Sequence, residues 1–274
     1  MSSLAGRSAI VSGSGRGIGA AIAHKLAASG ASVVVNDLDA DTAQRVVDEI
    51  TAAGGTATAC AGSVTEAGFA QRFVDTAVDA FGGLDIIVNN AGYTWDTVIQ
   101  RMSDEQWDAI LDVHLKAPFQ ILRAAQPVIS AAAKREQESG EVRTRKVVNV
   151  SSLAGLAGNA GQANYSAGKA GILGLTKAMA KEWGRYRVTV NAVAFGIIAT
   201  RLTDSTEDGA TIDIEGREIK VGVNPGLLQG AAMMAPLGRI GTVEEAAGAV
   251  YLLCIPESDY VTGEVLTCSG GLRG

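Results

Sequence analysis

Short apolar runs rich in β-branched residues recur along the chain: "SAIVS", "SVVVND", "TATAC", "LDIIVNN", "KVVNVSS", "RVTVNAV" and "GEVLTC". Several are apolar throughout instead of alternating, the pattern of a parallel strand covered on both faces. Between them lie segments suited to covering helices, at 17–29, 40–53, 66–81, 104–132, 163–184 and 243–254. The pattern predicts an α/β chain: a single doubly wound Rossmann domain, residues 1–274, with a seven-stranded, mostly parallel sheet. No repeat or Pro-rich linker divides it.

Two stretches break the rhythm. "AAAKREQESGEVRTRK", 131–146, reads as a solvated helix end and loop with no chemistry of its own. In "TIDIEGREIKVGV" isoleucines alternate with charged residues on either side of Glu215-Gly216, which predicts a β-hairpin arm within a lid insertion at about 202–236.

Composition narrows the function. With 47% apolar residues the chain can bury a core, and its net charge of −6 argues against nucleic acid or an anionic membrane as partner. Cys60, Cys254 and Cys268 are odd in number and lie far apart, which suggests neither a disulfide framework nor a metal site. "MSSLAGRSAIV" lacks a signal-peptide pattern and no run is long enough to span a membrane, so a cytoplasmic protein acting on a small molecule is expected.

The first chemical signal is "VSGSGRGIGA", a glycine-rich turn between a strand and a helix. Gly13, Gly15, Gly17 and Gly19 allow close backbone approach, and the helix start offers free N–H groups to a pyrophosphate. Arg16 and Ile18 sit in the same turn. Asp37 follows Gly17 by twenty residues, at the end of the next strand. Its carboxylate suits ribose hydroxyls and repels a 2′-phosphate, so NAD is expected, with NADP left open because Arg16 could pair with that phosphate.

Taken together these residues resemble the short-chain dehydrogenases/reductases from Gly6 to Gly271. The family's GxxxGxG matches Gly13, Gly17 and Gly19; its NNAG matches Asn89, Asn90, Ala91 and Gly92; its YxxxK matches Tyr165 and Lys169; its serine matches Ser152. Within the family the chain looks most similar to 3-oxoacyl-(acyl carrier protein) reductases and NAD-dependent hydroxysteroid dehydrogenases. The resemblance implies an NAD(P)-dependent oxidoreductase that passes hydride between the nicotinamide and a ketone or secondary alcohol. A 3-oxoacyl thioester is the first expectation; a steroid or other small alcohol is the alternative, and a non-catalytic dinucleotide sensor a third. On a helix Tyr165 and Lys169 share one face, so the ammonium is expected to acidify the phenol, while Ser152 hydrogen-bonds the substrate oxygen.

The chain departs from the family at three places. His114 stands where relatives usually carry an Asn, and it is expected to join the proton relay and add pH dependence. Ser63 replaces an acidic or amide residue, so adenine contact falls to Ser63 and the Val64 backbone. Phe195-Gly196 replaces Pro-Gly, while Ile198 and Thr200 keep the positions that touch the carboxamide. Specificity is expected between Leu202 and Pro236, with Tyr93, Thr94 and Trp95 contributing; Ile212, Leu227, Leu228, Met233 and Met234 suggest an apolar substrate portion. The resemblance also implies a homotetramer or homodimer.

Overall fold

The computed structural model describes residues 3–200, 211–220 and 225–272. All seven predicted strands form: β1 Ser8–Val11, β2 Ser32–Val35, β3 Thr56–Ala59, β4 Ile86–Asn89, β5 Arg145–Ser152, β6 Val188–Phe195 and, near the end of the chain, the strand Val265–Cys268. Every neighbouring pair is parallel, and the order runs β3-β2-β1-β4-β5-β6 with Val265–Cys268 at the edge. The expected mostly parallel sheet is therefore wholly parallel. The runs of β1, β2, β4, β5 and β6 are buried on both sides, which is why they do not alternate, while the edge strands β3 and Val265–Cys268 are partly exposed.

Two cores flank the sheet. On one side pack α1 (Gly17–Ala28), α2 (Ala40–Ala52) and the helix Val243–Leu252; on the other pack α3 (Phe69–Phe81), α5 (Ala117–Ser139) and α7 (Ala163–Trp183). Between α3 and α5 lies α4, Asp104–Leu111, and between β5 and α7 the short α6, Leu153–Ala157. Local chemistry sets several helix starts: the Asp39 side chain accepts from the Thr42 amide, and Ser103 with Gln106 forms a capping box at α4. The order reverses between β1 and β4, which opens a crevice above the carboxyl ends of those strands.

The hairpin forms as expected: β7 (Thr211–Ile214) pairs antiparallel with β8 (Arg217–Lys220). Glu215 and Gly216 turn between them with φ of 55° and 80°, both left-handed, which fits a tight two-residue turn. Helix α8, Pro225–Met234, follows; α9 is Val243–Leu252 and β9 is Val265–Cys268. Residues 202–210 and 221–224 of the expected lid, and the side chains of Ile212 and Leu227, lie outside the described residues.

The segment 131–146 needs correction. Helix α5 runs to Ser139, and Arg145 and Lys146 are buried at the start of β5. Arg143 donates to both carboxylate oxygens of Asp85, at 2.6 and 2.7 Å, while Arg145 pairs with Glu136 and Lys146 with Asp259. Most side chains from 131 to 142 are exposed, as expected of a helix end and loop, whereas Arg143, Arg145 and Lys146 are consumed by partners, Asp85 and Asp259 far along the chain and Glu136 within the same segment.

Candidate active site

A cleft of about 1510 Å³ opens over the carboxyl ends of β1, β4, β5 and β6. It gathers most of the expected residues: Gly13, Arg16, Gly17, Ile18, Gly19, Asp37, Ser63, Val64, Asn90, His114, Ser152, Tyr165, Lys169, Ile198 and Thr200 all line it. Gly15 does not. A Cβ there would meet Asp37 Oδ2 at 2.5 Å, so this glycine makes room for the Asp37 side chain.

The cradle for a dinucleotide is built from the glycine turn. Gly13 has φ of 61°, and a Cβ on it would lie 2.7 Å from Ala91 Cα; Gly17 has φ of 53°. No side chain caps α1 at Arg16, so first-turn amides beside Gly17, Ile18 and Gly19 are left for an anion. Asn36 and Ser12, which sequence reasoning missed, fix this turn. Asn36 accepts from the Gly13 amide at 3.0 Å and donates to the carbonyls of Cys60 and Gly62, tying together the loops after three strands. The Ser12 hydroxyl accepts from the amides of Asn90 and Ala91. The Arg16 guanidinium turns toward α2 and donates to Thr42 Oγ1 at 2.7 Å. These features fit a dinucleotide pyrophosphate and ribose.

The reacting groups come from β5 and α7. Lys169 is buried and donates to the Val150 carbonyl at 2.8 Å, with its Nζ 5.7 Å from the centre of the Tyr165 ring. Ser152 caps α6 by accepting from the Ala154 amide, and its hydroxyl reaches the Tyr165 phenol. Asn164 is fully buried; it donates to the carbonyls of Trp95 and Gln106 and accepts from the Tyr165 amide, fixing where α7 begins. It precedes Tyr165 directly, and that adjacency was the available signal.

The electrostatics correct one expectation. Burial pushes the Tyr165 phenol up to about 12, against a lowering by the Ser152 hydrogen bond, and the nearby Asp96 carboxylate pushes the same way as burial. Burial also brings Lys169 down to about 7. Desolvation of both groups therefore outweighs the expected acidification of the phenol by the ammonium. These shifts favour the neutral phenol, the form that donates a proton.

His114 requires a second correction. It lies in a π-helical turn, Asp112–Lys116, between α4 and α5, a distortion that aims the ring into the cleft wall. Its Nε2 bonds the Tyr93 carbonyl at 2.8 Å, and its ring stands edge-on to Tyr165 with centroids 5.0 Å apart. A carbonyl only accepts, so Nε2 carries the proton and Nδ1 is a bare acceptor, buried without a partner among the described residues. Burial first, and Lys169 second, hold the imidazole well below its usual pKa. That displaces its titration below the neutral range where it was expected. The chain has only two histidines, so a proton NMR titration with His114→Asn for assignment is decisive. The His114 ring signals should stay constant from about pH 8 to about pH 5.5, spanning the ordinary histidine range; a midpoint within it would reject the neutral ring.

Residues 7–211 match the family model described as short chain dehydrogenase. A 3-oxoacyl-[acyl-carrier-protein] reductase of Synechocystis sp. is 39% identical over 274 residues, covering 99% of both chains. The 3-oxoacyl-[acyl-carrier-protein] reductase FabG of Vibrio cholerae is 38% identical over 98% of both. The short-chain reductase protein NovJ of Streptomyces niveus is also 38% identical, covering 96% of this chain and 92% of its own. Among solved structures, a Serratia marcescens short-chain dehydrogenase/reductase variant superposes with a TM-score of 0.82 at 31% identity over 98% of both chains.

Proposed function

The chain belongs to the short chain dehydrogenase family and is an oxidoreductase, and from that premise we propose that it reduces the ketone of a 3-oxoacyl thioester, using NAD as its dinucleotide. The observation that carries this reading is the meeting of Ser152, Tyr165 and Lys169 with the glycine turn of α1 in one cleft. When bound, the reduced nicotinamide supplies a hydride to the carbonyl carbon. Tyr165, as a neutral phenol, gives its proton to the carbonyl oxygen, and the Ser152 hydroxyl hydrogen-bonds that oxygen as negative charge develops. Lys169, fixed on the Val150 carbonyl, steadies the phenolate left behind and supplies a proton for the next turnover. His114 positions the Tyr165 ring and the Tyr93 backbone instead of passing protons itself. The exposed edge of β9 and the exposed ring of Phe119 are consistent with assembly of identical subunits.

The preference for NAD follows from Asp37. Its carboxylate lines the cleft beside Gly15, whereas Arg16 is committed to Thr42 next to Asp39, and Arg45, which donates to the Gly15 carbonyl, is paired with Glu49. A 2′-phosphate about 4 Å from Asp37 would cost roughly 4 kcal/mol at an effective dielectric of about 20, before screening. Assayed with a panel of 3-oxoacyl thioesters, ketosteroids and small ketones, the enzyme should use NADH with a kcat/KM about tenfold or more above that for NADPH. Asp37→Ala should narrow that gap. Equal or better use of NADPH would reject NAD, and binding of cofactor with no oxidation across the panel would reject the reductase.

A further inference from the structure

The half of the cleft beyond Tyr165 has a charge pattern that bears on what can be reduced there. Among the described residues its wall carries the carboxylates of Asp96, Asp112, Asp213, Glu215 and Glu218 and one guanidinium, Arg217. Arg217 is already shared between Glu105, at 2.9 Å, and Glu215, at 3.2 Å. Asp112 is answered by Lys116 at 3.0 Å, but Asp96 is held only by neutral groups, Gln162 and Thr94. On the hairpin Asp213 stands directly opposite Glu218, a like-charged cross-strand pair that costs stability instead of adding to it. Among the described residues the other basic side chains lining the cleft are Arg16, at the adenosine end, and the buried Lys169.

The placement of the hairpin points the same way. It lines the cleft, meeting α4 through Arg217 and Glu105 and the loop after β3 through Glu215, which accepts from Thr65 Oγ1 at 3.5 Å. A long arm leading out to a carrier has to pass under or beside this acidic bridge.

We propose that the cleft selects ketones presented without negative charge, an uncharged ketone or neutral thioester, over the same acyl group on coenzyme A or an acidic carrier protein. The inference rests on the reductase reading above and refines its substrate class. Like charge along the cleft wall lowers the encounter rate, and salt relieves that penalty.

The test compares two esters of the acetoacetyl group, the neutral N-acetylcysteamine thioester and the anionic coenzyme A thioester, with reduced cofactor saturating. From about 0.01 to about 0.15 M salt the screening length falls from about 30 to about 8 Å. At the low end kcat/KM should be about tenfold higher for the neutral ester. Added salt should raise the coenzyme A value about threefold or more and leave the neutral value flat. The double substitution Asp213→Asn with Glu218→Gln should shift the ratio toward the coenzyme A ester. A coenzyme A ester used as well or better at low salt, with a rate that falls as salt is added, overturns the inference while leaving the reductase intact. Neither ester nor any ketone of the panel oxidising either cofactor overturns the reductase reading, and this refinement with it.

Discussion

Tyr165→Phe is expected to lower turnover by about 10³-fold or more while cofactor affinity changes little, because a positioned general acid commonly contributes 10²–10⁴-fold. In the proposed mechanism the phenol protonates the substrate oxygen: it meets Ser152 on one side and Lys169 beside its ring. The ring itself is held independently of the hydroxyl, by the edge-on contact with His114 and by Asn164 at the helix start. Phenylalanine should therefore keep the packing and remove only the proton. Nicotinamide fluorescence on binding measures the first half of this expectation and single-turnover kinetics the second. Turnover within tenfold of the parent would assign the proton to another group.

The second large effect concerns stability. Asp85 is almost fully buried below the sheet and accepts from Arg143 twice, from the Ser8 amide at 3.0 Å and from the Ser8 hydroxyl, with Arg7 at 3.5 Å and Arg145 at 3.9 Å. Removing one member of a buried ion pair commonly costs 3–5 kcal/mol because the partner is left uncompensated. Arg143 is itself 27% exposed and recovers some water, so Asp85→Asn is expected near the lower end, about 3 kcal/mol, or a drop of roughly 6–12 °C in Tm for a chain of this size.

The pH dependence has a definite sign. Burial alone raises the Asp85 carboxyl, but the Arg143 hydrogen bonds, the Ser8 amide and the nearby charges prevail and hold it below its ordinary value. A depressed carboxyl contributes fully above its unfolded pKa of about 4 and loses that contribution as pH falls through the folded value. Asp85→Asn should therefore flatten the acid limb of the stability curve in urea unfolding below about pH 4. A loss under about 1 kcal/mol would show that the arginines relax to solvent.

The sheet was legible because its signal is local. Runs such as "SVVVND" and "KVVNVSS" are apolar without alternation, which only a doubly covered strand tolerates. The hairpin was legible for the opposite reason, Ile alternating with charge around a turn that needs two left-handed residues. The site residues followed from motifs whose spacing reflects geometry, the glycine turn and the Tyr165–Lys169 step on one helix face. What escaped depends on contacts between distant residues. Nothing near "EVRTRK" announces that Arg143 finds Asp85 and that Lys146 finds Asp259. Residue type suggested that Lys169 would acidify Tyr165 and that His114 would titrate; burial, which residue type does not report, reverses both.

The histidine also leaves a mark on its neighbours. A Cβ at Gly92 would run into the His114 ring, 2.7 Å from Nδ1, although the backbone at that position has no left-handed φ to demand glycine. At Gly168 the obstacle is the His114 Cβ, 3.2 Å away, which every residue but glycine shares. Positions 92 and 114 thus trade volume with each other, and position 168 takes no part. In this chain, Gly92→Ala should lower Tm less when combined with His114→Ala than when made alone, whereas Gly168→Ala should cost the same in either background.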